Sequence, residues 1–249
     1  MKLLTILSLL LAAALAKAQL AVISDPDGFV NVREAGNINS KIVSKLNTDC
    51  IVLYDGETDN NEWKTAYYSA ENTMVFSKSN NKPIILKKDY ITGFVNASRI
   101  IPIDQLPQMR FKKGIGYLRN NDIINFSIKT KPFSAKSHKI VKSKGGCNNC
   151  AKNFIDKIDG KHPWGIDGNL PTREIYKIVL SINKLQVEIP FESYNDLYQP
   201  SLQNLQIHYD KKGNIYLYMP NNSDGAGGYD IVWVINNGKL IKRYVDSIG

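Results

Sequence analysis

Apolar and polar residues alternate with a period of two in short runs along most of this chain, and turn residues separate the runs. That period puts successive side chains on opposite faces of an extended strand, so it commits the chain to sheet. Gly28-Phe29-Val30-Asn31-Val32-Arg33 is one such run, with Val30 and Val32 on one side and Phe29 and Asn31 on the other. Thr92-Gly93-Phe94-Val95-Asn96-Ala97-Ser98-Arg99-Ile100 echoes it. Between them lie Ile42–Leu46, Cys50–Tyr54 and Glu62–Ala66, which predict a small barrel built from consecutive hairpins.

The last third carries the same code. Ile175–Ile182 and Leu185–Ile189 flank Asn183-Lys184; Leu205–Tyr209 and Ile215–Met219 flank Lys211-Lys212-Gly213. Ile231–Ile235 and Leu240–Val245 flank Asn236-Asn237-Gly238, and Asn-Gly is a strong hairpin signal because both residues tolerate positive φ. Phe191–Leu197 predicts a short helix before Pro200. Pro102 and Pro107 each fix φ and remove a backbone donor, which marks a boundary. Asp122–Lys129 predicts a strand paired with Lys139–Val141, and 142–172 is mostly loop with a helical turn at Ala151–Ile158.

The order Gly28-x-Val30-Asn31-Val32-Arg33, an apolar strand, Trp63, then Gly93-Phe94-Val95 resembles the bacterial SH3 family over residues 25–101. The chain departs from the family pattern at Glu34-Ala35-Gly36, at Cys50 and in an insertion over residues 68–89. The resemblance implies an SH3-like barrel acting as an accessory module that holds a peptide or glycan, often cell-wall material. It implies no catalysis by that module.

Lys2, the apolar run Leu3–Leu15 and the small residues Ala16 and Ala18 predict a signal peptide over residues 1–18, cleaved before Gln19. The apolar run falls short of the roughly 20 residues that span a bilayer. The exported chain is therefore expected to be periplasmic or extracellular, without stable membrane insertion. Losing Lys2 and Lys17 takes the formal net charge from +9 to +7. Such a charge suits anionic envelope polymers, or solubility alone. Arginine is scarce, and an exported basic chain poor in arginine is a weak nucleic-acid binder.

Three cysteines are present. Cys50 fits a small buried hydrophobe. Cys147-Asn148-Asn149-Cys150 has the spacing of a local disulfide, and with His138 and His162 also that of a zinc site. Inert thiols fit as well. The glycine-dense segment Asn222–Tyr229 joins two strands and lacks the lysine of a phosphate loop, so it reads as a wide β connection. No nucleophile elbow occurs, and His138, His162 and His208 have no acidic neighbour at a relay spacing.

Aromatic side chains in and beside the barrel offer contact area at low entropic cost. Phe29, Arg33, Tyr54, Trp63, Tyr67 and Phe94 are the candidate ligand-binding residues, although Trp63 and Phe94 also fit core positions. The expectation is a mainly β chain in four parts: a signal peptide (1–18), an SH3-like barrel (19–103), a linker (104–107) and a second antiparallel β domain with a short helix (108–249). Its expected role is non-enzymatic binding in a bacterial envelope without a cofactor, with a peptide, peptidoglycan or another envelope protein as partner. The alternative is a periplasmic immunity-type protein that inhibits a toxic effector by binding it.

Overall fold

The computed structural model describes residues 19–55, 62–84, 86, 89–143, 154–223 and 227–247. The signal-peptide segment and the Cys147–Cys150 pair lie outside the described residues.

The chain is mainly β, in several antiparallel sheets. The first unit contributes β1 (Gln19–Ile23), β2 (Phe29–Arg33), β3 (Ile42–Asn47), β4 (Ile51–Asp55) and β5 (Trp63–Ser69). β6 (Thr73–Phe76), β7 (Pro83–Ile84), β8 (Tyr90–Asn96) and β9 (Ile100–Pro102) follow. β1–β5, β8 and β9 form a seven-stranded sheet in the order β3-β2-β8-β5-β4-β1-β9. Its hydrogen bonding is open: β3 and β9 are edges, so the expected closed barrel is not formed by strand pairing. β1 takes β9 and β4 as its two neighbours, and among the described residues no strand joins β3 to β9.

Five strands make a second sheet, ordered β10-β11-β12-β15-β16: β10 (Arg110–Lys112), β11 (Gly116–Arg119), β12 (Asp122–Pro132), β15 (Arg173–Ile182) and β16 (Leu185–Val187). β13 (Ile140–Ser143) and β14 (Phe154–Ile158) pair with each other. Two expectations are corrected here. β12 pairs with β11 and β15 rather than with residues 139–141, and 154–158 is a strand where a helical turn was expected. The β15–β16 hairpin turns at Asn183 and Lys184 as the sequence predicts, both at positive φ (52° and 68°).

β17 (Gln206–Tyr209), β18 (Ile215–Asn222), β19 (Tyr229–Asn236) and β20 (Lys239–Ser247) are successive hairpins. The 68–89 insertion adds β6 beside β20 and β7 beside β6, completing a six-stranded sheet. Chain from the expected first domain thus builds the sheet of the second, and buried Phe76 joins the second core. Leu106 of the expected linker is also buried, beside Ile103, in the core between the sheets. The expected helix at Phe191–Leu197 is a single 3-10 turn, Phe191–Ser193, pinned by Trp233 Nε1 donating to the Ser193 carbonyl at 3.0 Å.

The six-stranded sheet is the middle layer. Ile215, Leu217 and Met219 on β18 and Ile231, Trp233 and Ile235 on β19 face the core shared with the five-stranded sheet. Tyr216, Tyr218, Val232 and Val234 point the other way and pack against Leu20, Val22 and Ile51 of the first sheet. β1 is likewise buried on both faces, with Ala21 and Ile23 in the inner core of the first unit. Strands covered on both sides read as continuous apolar runs, as Leu20-Ala21-Val22-Ile23 and Ile231-Val232-Trp233-Val234-Ile235 do. Among the described residues no helix is long and apolar enough to cross a membrane.

Candidate functional site

The alternation of β2 buries Val30 and Val32 and turns Phe29, Asn31 and Arg33 outward. β5 brings in Trp63, and the end of β8 brings in Asn96, followed by a 3-10 turn at Ala97–Arg99. Asn96 caps that turn: its Oδ1 accepts from the Ser98 N–H at 3.1 Å and from Ser98 Oγ at 2.6 Å. These elements wall a groove of about 410 Å³, with Asp25, Asp27 and Ile38 completing its lining.

Arg33 is held in place. Its Nη1 donates to the Ser40 carbonyl at 2.6 Å, and the guanidinium carbon stands 6.0 Å from the centre of the Trp63 ring. The Lys45 ammonium sits 4.2 Å from the Phe29 ring centre. Arg99 Nε pairs with Asp25 at 3.0 Å. Gly36, one of the departures from the bacterial SH3 pattern, lies against the aromatic wall. A Cβ there would stand 3.1 Å from Trp63 Cβ and 3.4 Å from Phe94 Cδ1.

One polar atom in the groove lacks a partner. Asn31 Oδ1 is buried and meets no hydrogen-bond donor among the described residues. The groove therefore presents a buried acceptor, the exposed ring of Phe29, a fixed guanidinium and the Asp27 carboxylate. That set suits an extended polar chain with N–H or O–H donors and an apolar face.

Of the six candidate binding residues, Phe29, Arg33 and Trp63 line this groove. Trp63 contributes from a buried position. Phe94 pairs with Arg33 across the strands and touches the Gly36 corner without lining the groove. Tyr54 faces the inner core, where burial raises its phenol pKa and its OH donates to Gln19 Oε1 at 2.7 Å. Tyr67 lies farther along β5, opposite Thr92 and Leu53. Asn31, Asn96, Ser98 and Arg99, none of them aromatic, also line the groove. The signal for both asparagines was the period itself, since each directly follows a buried valine, Val30 or Val95.

Of the three histidines, His138 meets acidic side chains. His138 Nδ1 meets Asp159 Oδ2 at 2.7 Å, and its Nε2 lies 2.9 Å from Glu174 Oε2, with Phe133 stacked on the ring at 4.7 Å. Acidic side chains far off in sequence thus approach both of its nitrogens, Asp159 through a hydrogen bond and Glu174 within ion-pair distance only. Hydrogen bonding by His138 holds the Asp159 carboxyl below the usual carboxylate range. His162 packs edge-on against Trp164, and burial lowers its pKa. Burial also lowers that of His208, which bridges the Leu106 carbonyl and Gln206. Among the described residues no group of three or more His, Cys, Asp or Glu side chains is placed to hold a metal ion. Cys50 packs against the inner core of the first unit but is half-buried, where a buried hydrophobe was expected.

No family model, curated protein or solved structure matches this chain.

Proposed function

We propose that this chain is an exported, non-enzymatic binding or adaptor protein of a bacterial envelope. An SH3-like module over residues 25–101 holds a peptide or cell-wall glycan in the groove of Phe29, Asn31 and Arg33, with no cofactor. The observation that carries the reading is the buried side-chain Oδ1 of Asn31, which meets no donor among the described residues, set in an open groove beside an exposed aromatic ring. A buried acceptor left unpaired costs about 1–3 kcal/mol. A ligand amide or hydroxyl entering the groove removes that cost, and Phe29 supplies a flat apolar contact for a sugar or side chain. The motif order supports the SH3-like assignment, with Arg33 and Phe94 in register on adjacent strands.

Sedimentation of the full exported chain with purified peptidoglycan sacculi tests the proposal. It should pellet with the sacculi and stay bound in high salt, which screens mere charge attraction. Phe29→Ala and Asn31→Ala should each weaken retention about tenfold, or about 1.4 kcal/mol. Failure to pellet, together with a stoichiometric protein partner in a pull-down, would overturn it in favour of the immunity-type role.

A further inference from the structure

Another concavity lies where the first sheet meets the middle layer, and it shares no lining residue with the groove. Its volume is about 420 Å³, within the span of roughly 300–1,000 Å³ typical of small-molecule sites. Val22, Ile101, Leu106, Pro107, Tyr209 and Tyr216 make its walls. Val22, Leu106 and Tyr216 belong to the buried core between the sheets, so the cavity opens into that seam.

The charges around it are unequally committed. Lys212 Nζ bridges back to the first sheet, donating to Asp49 Oδ1 at 2.8 Å and Thr48 Oγ1 at 3.2 Å. Asp210 accepts the backbone N–H groups of Lys212 and Asn214, each at 2.9 Å, together with Asn214 Nδ2 at 2.7 Å and the Tyr216 hydroxyl at 2.8 Å. Asp210 is therefore occupied by four donors, and Asp49 is paired through Oδ1 with Lys212. Ser24, Gln105 and Lys211 also line the cavity, and among the described residues their side chains make no hydrogen bond or ion pair. Ser24 and Gln105 can donate or accept, whereas Lys211 is the one charged side chain of the three and carries no ion pair among the described residues.

We infer that this seam is a binding site for an aliphatic chain ending in a carboxylate, with the chain against the apolar walls and the carboxylate on Lys211. Apolar burial supplies most of the affinity, at about 0.8 kcal/mol per buried methylene. The ammonium supplies selectivity for the anionic head.

Calorimetric titration of the exported chain with dodecanoate tests this, with dodecanol and dodecyltrimethylammonium as matched neutral and cationic probes. Dodecanoate should bind saturably at one per chain, dodecanol about tenfold more weakly and the cation more weakly still. Lys211→Glu, at an exposed position that leaves the core untouched, should cost dodecanoate about tenfold and leave dodecanol unchanged. Ile101→Trp, which fills the cavity, should abolish binding of both in a variant that still melts cooperatively. The inference is overturned if dodecanoate fails to saturate, if the three probes bind equally, or if Lys211→Glu leaves dodecanoate affinity unchanged.

Discussion

Replacing Arg243 by methionine should destabilise this protein more than most single changes, and the pair it breaks sets the size. Arg243 is 2% exposed and Asp196 8% exposed. Arg243 Nη1 meets the two Asp196 oxygens at 2.9 and 3.0 Å, while Nε and Nη2 have no hydrogen-bond partner among the described residues. Removing one member of a buried pair strands the other charge in a poorly solvated site, at about 3–5 kcal/mol. Replacing both with apolar residues of similar volume is commonly neutral or stabilising by about 1–4 kcal/mol. Here the unpartnered guanidinium nitrogens weigh further against the native pair. Arg243→Met should therefore lose about 4 kcal/mol, whereas Asp196→Leu with Arg243→Met should recover most or all of it. With a urea slope of about 2 kcal/mol/M, the single variant's unfolding midpoint falls by about 2 M and the double variant's returns to near the native value. Urea titration followed by tryptophan fluorescence measures both. A single variant within 1 kcal/mol of native, or a double variant no more stable than the single, would refute the assignment of Asp196 as a charge that depends on Arg243.

Three further outcomes can be checked. Gly93→Ala places a Cβ 2.6 Å from the Arg33 carbonyl oxygen and 2.7 Å from Val32 Cγ1 at φ +152°. It should cost about 3 kcal/mol in thermal melts, against about 1 kcal/mol for Gly238→Ala, where φ is +69° and a Cβ meets nothing within 4 Å; equal losses would contradict the close-approach argument. His138→Ala should raise the Asp159 carboxyl midpoint toward its ordinary value in an NMR titration. A depressed carboxylate stabilises the fold above its unfolded pKa of about 3.9 and loses that contribution as pH falls through the folded value, so a midpoint unmoved by the substitution would remove His138 as the cause. Burial pushes the Cys50 thiol pKa up despite the nearby Lys242 ammonium. In a Cys147→Ser, Cys150→Ser background, native Cys50 should react with a disulfide reagent at pH 8 about a hundredfold more slowly than the unfolded chain, and comparable rates would show it accessible as thiolate.

Much of the local structure was legible. Asn183-Lys184 and Asn237-Gly238 announce their hairpins because a turn needing positive φ at successive residues selects for asparagine and glycine within the turn itself. The outward row Phe29, Asn31, Arg33 follows from period two alone. Histidine contacts were not legible: Asp159 and Glu174 reach His138 from strand and turn positions 21 and 36 residues away in the chain, and no spacing rule links them. The helix expected at Phe191–Leu197 gave way to one 3-10 turn because Trp233 takes the Ser193 carbonyl that a continuing helix would have used.

From its residues alone this chain is bound to be strands and tight turns, because side-chain alternation and turn conformations are settled by neighbours a few positions apart. Which strands lie side by side was decided only in three dimensions. β6 leaves the first unit for the edge of β20, β12 takes β15 across an intervening hairpin, and β1, β18 and β19 are covered on both faces. Closing a longer loop costs only slightly more entropy than closing a short one, so sequence distance barely penalises these choices. The burial of opposing apolar faces selects among them.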